Sequence, residues 1–393
     1  MKFHHPIWAL SVLALSLSLF SCSIRPEADA EGDVTIHIPD YPTSWEQGDT
    51  LFSSDLYTQQ TYVPLVQQPD CALDIITRLL ALPDHSLIVA NGNMKTIARF
   101  DSLGHFLNKI GAIGHASNEY VFPVNVAYDK FHNQVIVFDN PGFLYYYNPD
   151  GTFVRKVSIP CYDGSIRVLS PDQLLITNVS EAKNRYIVAL YNSNGEAIGR
   201  FMPISPTSEQ WHQNIPVNVI SHGARHFVRV NNSLDLLEVR PDTLLPAFHI
   251  ALPEINSFMK GNIQKNQEFL DSLGLTKRDD YDPSSYEMHV NDVQVVGDRL
   301  FIYLSDVVHN FLCTYDFVTG QTQLYSHYKN EFGPGPSATW DVSNHFDQTV
   351  CHFLDPAFTH YVPEDEEESY PRKELLHHLD SLDTYVIELL QLK

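Results

Sequence analysis

Beyond residue 85 the chain alternates apolar and polar positions in a unit that recurs five times. In each unit an alternating strand is followed by a short link, a second strand, a turn built on Asp or Asn and usually Gly, and a third strand. It reads HSLIVA then KTIARFDSLGHFLNKIG over 85–111, QVIVFDNPGFLYYYNPDGTFVRKVSI over 134–159, and QLLITNVSEAKNRYIVALYNSNGEAIGRFM over 173–202. Two further copies, HFVRVNNSLDLLEVRPDTLLPAFHI and RLFIYLSDVVHNFLCTYDFVTGQTQLYSHY, occupy 226–250 and 299–328. A period of two residues places successive side chains on opposite faces, so each run predicts a strand. The turn positions Gly104, Gly151, Gly195, Thr243 and Gly320 lie 47, 44, 48 and 77 residues apart. Apart from the last gap, that matches the ~40–50-residue period of propeller blades.

A short apolar run precedes each unit, as at 124–128 and 292–296, and completes four strands per blade with the first innermost. A sixth blade can be assembled from 339–346, 350–355 and 385–392, with the early run 57–67 as its outermost strand. Closure by N-terminal sequence removes the unpaired edge an open ring would expose. The expected fold is therefore all-β, a six-bladed β-propeller of four-stranded antiparallel blades with two short helical insertions. One helix is expected over 253–273, where Ile255, Phe258, Met259, Ile263, Leu270 and Leu273 recur at helical spacing before Gly274. The other is expected over 371–382, after the acidic run 364–368, which reads as a solvated linker.

The first residues do not belong to this pattern. Residues 1–6 carry one fixed charge, Lys2, and 7–20 form a serine-interrupted apolar stretch of secretory-signal length. It ends in Leu19-Phe20-Ser21-Cys22, which resembles a bacterial lipoprotein signal, although Phe20 is bulkier than the residue usual there. The resemblance implies cleavage before Cys22 and lipidation of Cys22, and Ser23 in place of Asp resembles the outer-membrane sorting pattern. Three acyl chains anchor a protein stably. The expected organisation is a signal peptide over 1–21, a lipidated N-terminus and tether over 22–45, and one propeller domain over 46–393. The expected location is the cell envelope, as an outer-membrane lipoprotein held to the membrane by its lipid.

Composition narrows the function. The chain of 393 residues is 44% hydrophobic and 12% aromatic, enough for a large core. Lys and Arg number 25 against 48 Asp and Glu, a net charge of −23, and no cluster of basic residues occurs. That excludes the electrostatic footprint of a nucleic-acid binder and makes the body repel anionic lipid surfaces. Cys71, Cys161, Cys313 and Cys351 are widely spaced within or beside strand runs and read as buried small hydrophobes rather than a disulfide framework. No phosphate-binding loop, G-x-S-x-G elbow, H-E-x-x-H or EF-hand calcium loop is present.

The stretch ARFDSLGHFLNKIGAIGHASNEYVFPVNVAYD, followed by VIVFDN and YYNPDGTFVRK, resembles the six-bladed β-propeller lipoproteins of Gram-negative gut bacteria, which are similar to NHL and TolB-type propellers. The carriers are the D-S-x-G turn, the I-G-x-x-G loop ending in Glu119-Tyr120, and a terminal strand reaching Lys393. The likeness covers most of 55–393 and departs at 114–118, where the family loop is richer in Gly and Pro. It implies the fold and says little of activity.

In a propeller the connections from the outer strand of one blade to the inner strand of the next emerge on one face. Here they fall at 111–123, 160–164, 203–214, 252–288 and 329–338, and four of the five exceed ordinary loop length. Long connections on one face predict a binding face there. Asn118, Glu119, Tyr120, Trp211, Tyr286 and Trp340 are its candidate ligand-binding residues, the aromatics suiting sugar faces or peptide side chains. The expected function is a non-enzymatic module binding a glycan, a peptide or an envelope protein, with no catalytic residues and no cofactor. The alternative is a metal-assisted lactonase or a lyase, with an axial calcium or zinc held by Glu119, Asn218, Asn291 and Asp292.

Overall fold

In the computed structural model, the described residues are 34–66, 68, 71, 73, 76–92, 94–208, 212–274, 287–329, 345–346, 349–354 and 385–393, all within the unit Gly32–Lys393. The side chains of 345–346, 349 and 351–354 are outside the description. So are the expected signal 1–21, Cys22, the second helix over 371–382, and the acidic run before it.

The chain folds as an all-β propeller. Four-stranded antiparallel sheets are formed by the strands within 76–109, 123–158, 163–204 and 289–325. A fifth combines His345–Phe346, Thr349–Leu354 and Val386–Leu392 with an early strand, Tyr57–Pro64, as its outermost member. A further sheet, over 217–251, has five strands, because β1 (Val34–His37) pairs in parallel with its outer strand Leu244–Ala251. Counted as four-stranded sheets, there are five blades and not the six expected.

Alternation is clear in some strands and lost in others. The outer strand Phe153–Ser158 alternates half-buried and exposed positions, whereas Val135 to Asp139 are all buried. The middle strands are sandwiched between neighbouring sheets, so both of their faces are apolar. Odd and even positions serve different neighbours. Val135, Val137, Tyr145 and Tyr147 pack with Ile88, Ala90 and Ile97 of the preceding sheet. Ile136, Phe138, Leu144 and Tyr146 pack with Ile166, Leu174 and Ile176 of the next.

The repeated turn glycines also join neighbouring sheets. Gly104, Gly151 and Gly195 have φ of +83°, +86° and +84°. A Cβ on each would overlap a backbone oxygen of the preceding sheet's outer strand, at Pro64, Lys109 and Ser158. Glycine is needed there twice, for the left-handed backbone and for the close approach. Gly320 shares the positive φ but has open space around it. The turns themselves are fixed by side chains: Asp101 accepts from the amides of Leu103 and His105, and Asp316 from those of Val318 and Thr319.

Within the segment expected as lipidated N-terminus and tether over 22–45, the described residues are part of the fold. Residues 34–45 are docked: Ile36, Ile38 and Tyr41 are buried with the 217–251 and 289–325 sheets. The segment then runs through β2 (Thr50–Phe52), parallel to His327–Lys329, and α1 (Ser53–Leu56) into β3 (Tyr57–Pro64). The helix expected over 253–273 is α2 (Ser257–Ser272), capped by the Asn256 side chain, which accepts from the Met259 amide at 3.0 Å. Asn256 also donates to the backbone oxygens of Tyr41 and Pro42, tying α2 to the docked segment.

Candidate functional site

The inner strands Ile76–Ala81, Pro123–Asp129, Asp163–Ser170, Val217–His222 and His289–Val296 surround a cavity of about 470 Å³. Its polar lining includes Arg78, Tyr128, Lys130, Arg167, Asn218 and Gln294, and no Asp or Glu lines it among the described residues. Arg78 is half-buried, makes no hydrogen bond or ion pair among the described residues, and its Nε is buried without an acceptor. Burial pushes its pKa below the usual guanidinium value. Arg167 is exposed at the cavity wall, and its one hydrogen bond is to the Ile166 carbonyl at 3.2 Å. Loss of water lowers its pKa, and the charge of Arg78 lowers it further, to about 10. Both remain cations at neutral pH.

Beside the cavity lies a satisfied polar cluster. Asn218 donates to Asp292 and accepts from Arg229 Nη1 at 3.0 Å; Arg229 also donates to the carbonyls of Ser233 and Val290. Asp292 further accepts from the Val293 amide and the Gln294 side chain, each at 2.9 Å. Burial lowers the pKa of Arg229 to about 10, opposed by the charge of Asp292. The structure thus unites Asn218 with Asp292, two of the four residues the axial-metal alternative needs. It does not bring in the others. Asn291 turns to Ser305 Oγ, and Glu119 accepts from the Ala116 amide at 2.9 Å within its own loop. Among the described residues, no three His, Cys, Asp or Glu are arranged to hold a metal ion.

The candidates on the loop-rich face divide. Trp211, Tyr286 and Trp340 lie outside the described residues. Asn118 is exposed, and its carbonyl accepts from the Tyr147 hydroxyl at 2.8 Å. Glu119 closes the 110–122 connection on itself. Tyr120 is a core residue, 1% exposed, with its hydroxyl donating to the Ile110 carbonyl and its ring edge-on to Tyr145 and Tyr147. Burial pushes the Tyr120 hydroxyl pKa well above its usual value.

What the sequence reading missed on this face is aliphatic and aromatic exposure beside those residues. Ile113, Val121 and Phe122 are 48%, 45% and 64% exposed on the 110–122 connection, and Tyr162 is exposed on the next. Phe269 of α2 and Leu273 just after it are exposed as well. Arg78 and Arg167 were also legible in principle, as single cations in the otherwise apolar inner runs ITRLLA and SIRVLS.

Residues 36–385 match a family model described as Domain of unknown function (DUF4934). No curated protein matches the chain. Among solved structures, a Bacteroides fragilis protein provisionally described as exported is similar over 92% of this chain and 100% of its own, at 17% identity and a TM-score of 0.59. A DUF4221 family member from Bacteroides vulgatus is similar over 86% and 98%, at 9% identity and a TM-score of 0.48. BamB from Moraxella catarrhalis is similar over 70% and 69%, at 13% identity and a TM-score of 0.37. The first likeness bears on the fold alone.

Proposed function

The chain belongs to the family described as Domain of unknown function (DUF4934), and from that premise we propose that it is an envelope-anchored, non-enzymatic binding module. Its ligand is a glycan, a peptide or another envelope protein, taken on the face where the blade-to-blade connections emerge. The observation that carries the reading is the exposed apolar set Ile113, Val121, Phe122 and Tyr162 on two successive connections of that face. Large apolar side chains left in water on one face favour association over isolation. Trp211, Tyr286 and Trp340 are added to the proposed face from sequence position alone, and the exposed Asn118 lies on the same connection as Ile113, Val121 and Phe122.

The propeller is read as six-bladed, the five-stranded sheet being the sixth blade. Its strands Val217–His222, Arg225–Val230, Asp235–Val239 and Leu244–Ala251 pair antiparallel in sequence order, as in the other blades, and β1 is an addition. Apolar clusters between successive sheets also run pairwise round the molecule, the last joining 296–312 to 350–392. Cleavage before Cys22, lipidation of Cys22 and outer-membrane sorting complete the reading, supported by the apolar stretch 7–20 ending in Leu19-Phe20-Ser21-Cys22.

The test is calorimetric titration of a glycan and peptide panel into the full chain in detergent, with and without calcium or zinc. Metal-independent, saturable binding that weakens about tenfold or more in Phe122→Ser or Trp340→Ala supports the module. Metal-dependent stabilisation with no glycan or peptide binding contradicts it.

A further inference from the structure

Two cations share one cavity with no described carboxylate beside them. Arg78 and Arg167 come from the inner strands of different sheets, and their charges stand close enough to repel. Other buried or half-buried arginines are engaged: Arg229 has two carbonyls and Asn218, Arg99 has Asp84 and Ser86, and Arg155 lies over the Tyr146 ring. Arg78 has none, and Arg167 has one carbonyl. Lys130 adds a third positive charge to the lining. All this occurs in a chain of net charge −23, where acidic partners outnumber basic groups nearly two to one.

Two guanidiniums held side by side on one cavity wall, without a carboxylate partner, repel each other until an opposite charge enters. A guanidinium fork matches the planar or tetrahedral oxygens of a carboxylate or phosphate, and charge-assisted hydrogen bonds of that kind are the strong ones. Asn218, Ser221 and Gln294 supply neutral polar groups on the same wall. The volume, about 470 Å³, lies within the range of small-molecule sites.

We propose that the axial cavity is an oxyanion site, in which Arg78 and Arg167 clasp the carboxylate or phosphate of a small molecule about the size of a sugar acid. The site is distinct from the loop-rich face and does not depend on that face binding anything.

The experiment follows melting of the full chain in detergent, at constant ionic strength, against glucuronate, glucose 6-phosphate and glucose. The acid and the phosphate separate the two sources of oxyanion, and glucose reports the sugar without the charge. Wild-type protein is expected to gain several degrees with glucuronate, glucose 6-phosphate or both, and nothing with glucose. Arg78→Met and Arg167→Met are expected to lose that gain while their own melting temperatures hold or rise, because one of two repelling charges is gone. Equal stabilisation by glucose, a gain that persists in both variants, or no response to either anion would overturn the proposal. A fall in melting temperature of both ligand-free variants would also overturn it, since it would give the arginines a structural role.

Discussion

At the scale of single residues, burial decides what each reactive group can do. Cys71, Cys161 and Cys313 are unpaired and buried, and burial pushes the thiols of Cys161 and Cys313 up to about 12. The thiolate is the reactive form, so both should resist iodoacetamide at pH 8 in the native chain and label rapidly in denaturant. Site-resolved mass spectrometry reads this, and rapid native labelling of either would contradict the packing. Asp306 and His309 are hydrogen-bonded with both side chains fully buried, 2.9 Å apart, where Asn262 of α2 approaches His309 at 3.2 Å. Burial pushes the Asp306 carboxyl up, but hydrogen bonds from His309 and from the amides of Val308 and His309 outweigh it and hold the pKa below 3.8. Its stabilising contribution is full above the ordinary aspartate value and fades as pH falls through the depressed one. Asp306→Ala should therefore cost about 3 kcal/mol at pH 7, and the gap to wild type should narrow at acid pH, below the ordinary aspartate value. Denaturant unfolding at both pH values checks the sign. The same scale shows what the sequence hides: Glu119 and Tyr120 have the chemistry of a site, but the fold uses one to close its loop and the other in the core.

At the scale of elements, the repeat was legible because each blade is a local hairpin series with its own turn chemistry. The glycine-bearing turns at 104, 151 and 195 fall where the spacing places them, and Tyr57–Pro64 closes the last sheet as the leftover runs predict. Less legible was anything that depends on which elements meet. Alternation alone does not say that both faces of Gln134–Asp139 are covered, nor that β1 adds in parallel to Leu244–Ala251. Residues 34–45 look like tether because their few apolar positions make no period, yet Ile36, Ile38 and Tyr41 fill a groove offered by distant sheets. The glycines give a sharp test at this scale. Gly151→Ala meets both a positive φ and the Lys109 carbonyl, and should cost about 3 kcal/mol; Gly320→Ala meets the φ alone and should cost about 1 kcal/mol. Equal losses in urea unfolding would mean that close approach between sheets is not what holds that turn.

At the scale of the whole molecule, the N-terminal segment carries the most consequence. It docks on two sheets, adds a strand to one, and supplies the outermost strand of another. Ile36→Asp should therefore weaken the packing of the 217–251 sheet against the 289–325 sheet, and loosen the whole propeller rather than a frayed end. Hydrogen exchange should show faster opening across both sheets; a change confined to 34–45 would make the segment a mere appendage. The ligand's identity is less visible than the architecture, because recognition depends on side chains brought together from several connections, and sequence spacing does not say which side chains meet. The central claim is that this propeller binds without transforming. The direct measurement is to incubate the full chain with the tightest ligand from the panel and recover that ligand for mass spectrometry beside the binding isotherm. The account predicts a ligand returned with unchanged mass and a saturable isotherm lost in Phe122→Ser. A product that accumulates with time, or binding indifferent to that substitution, would contradict it.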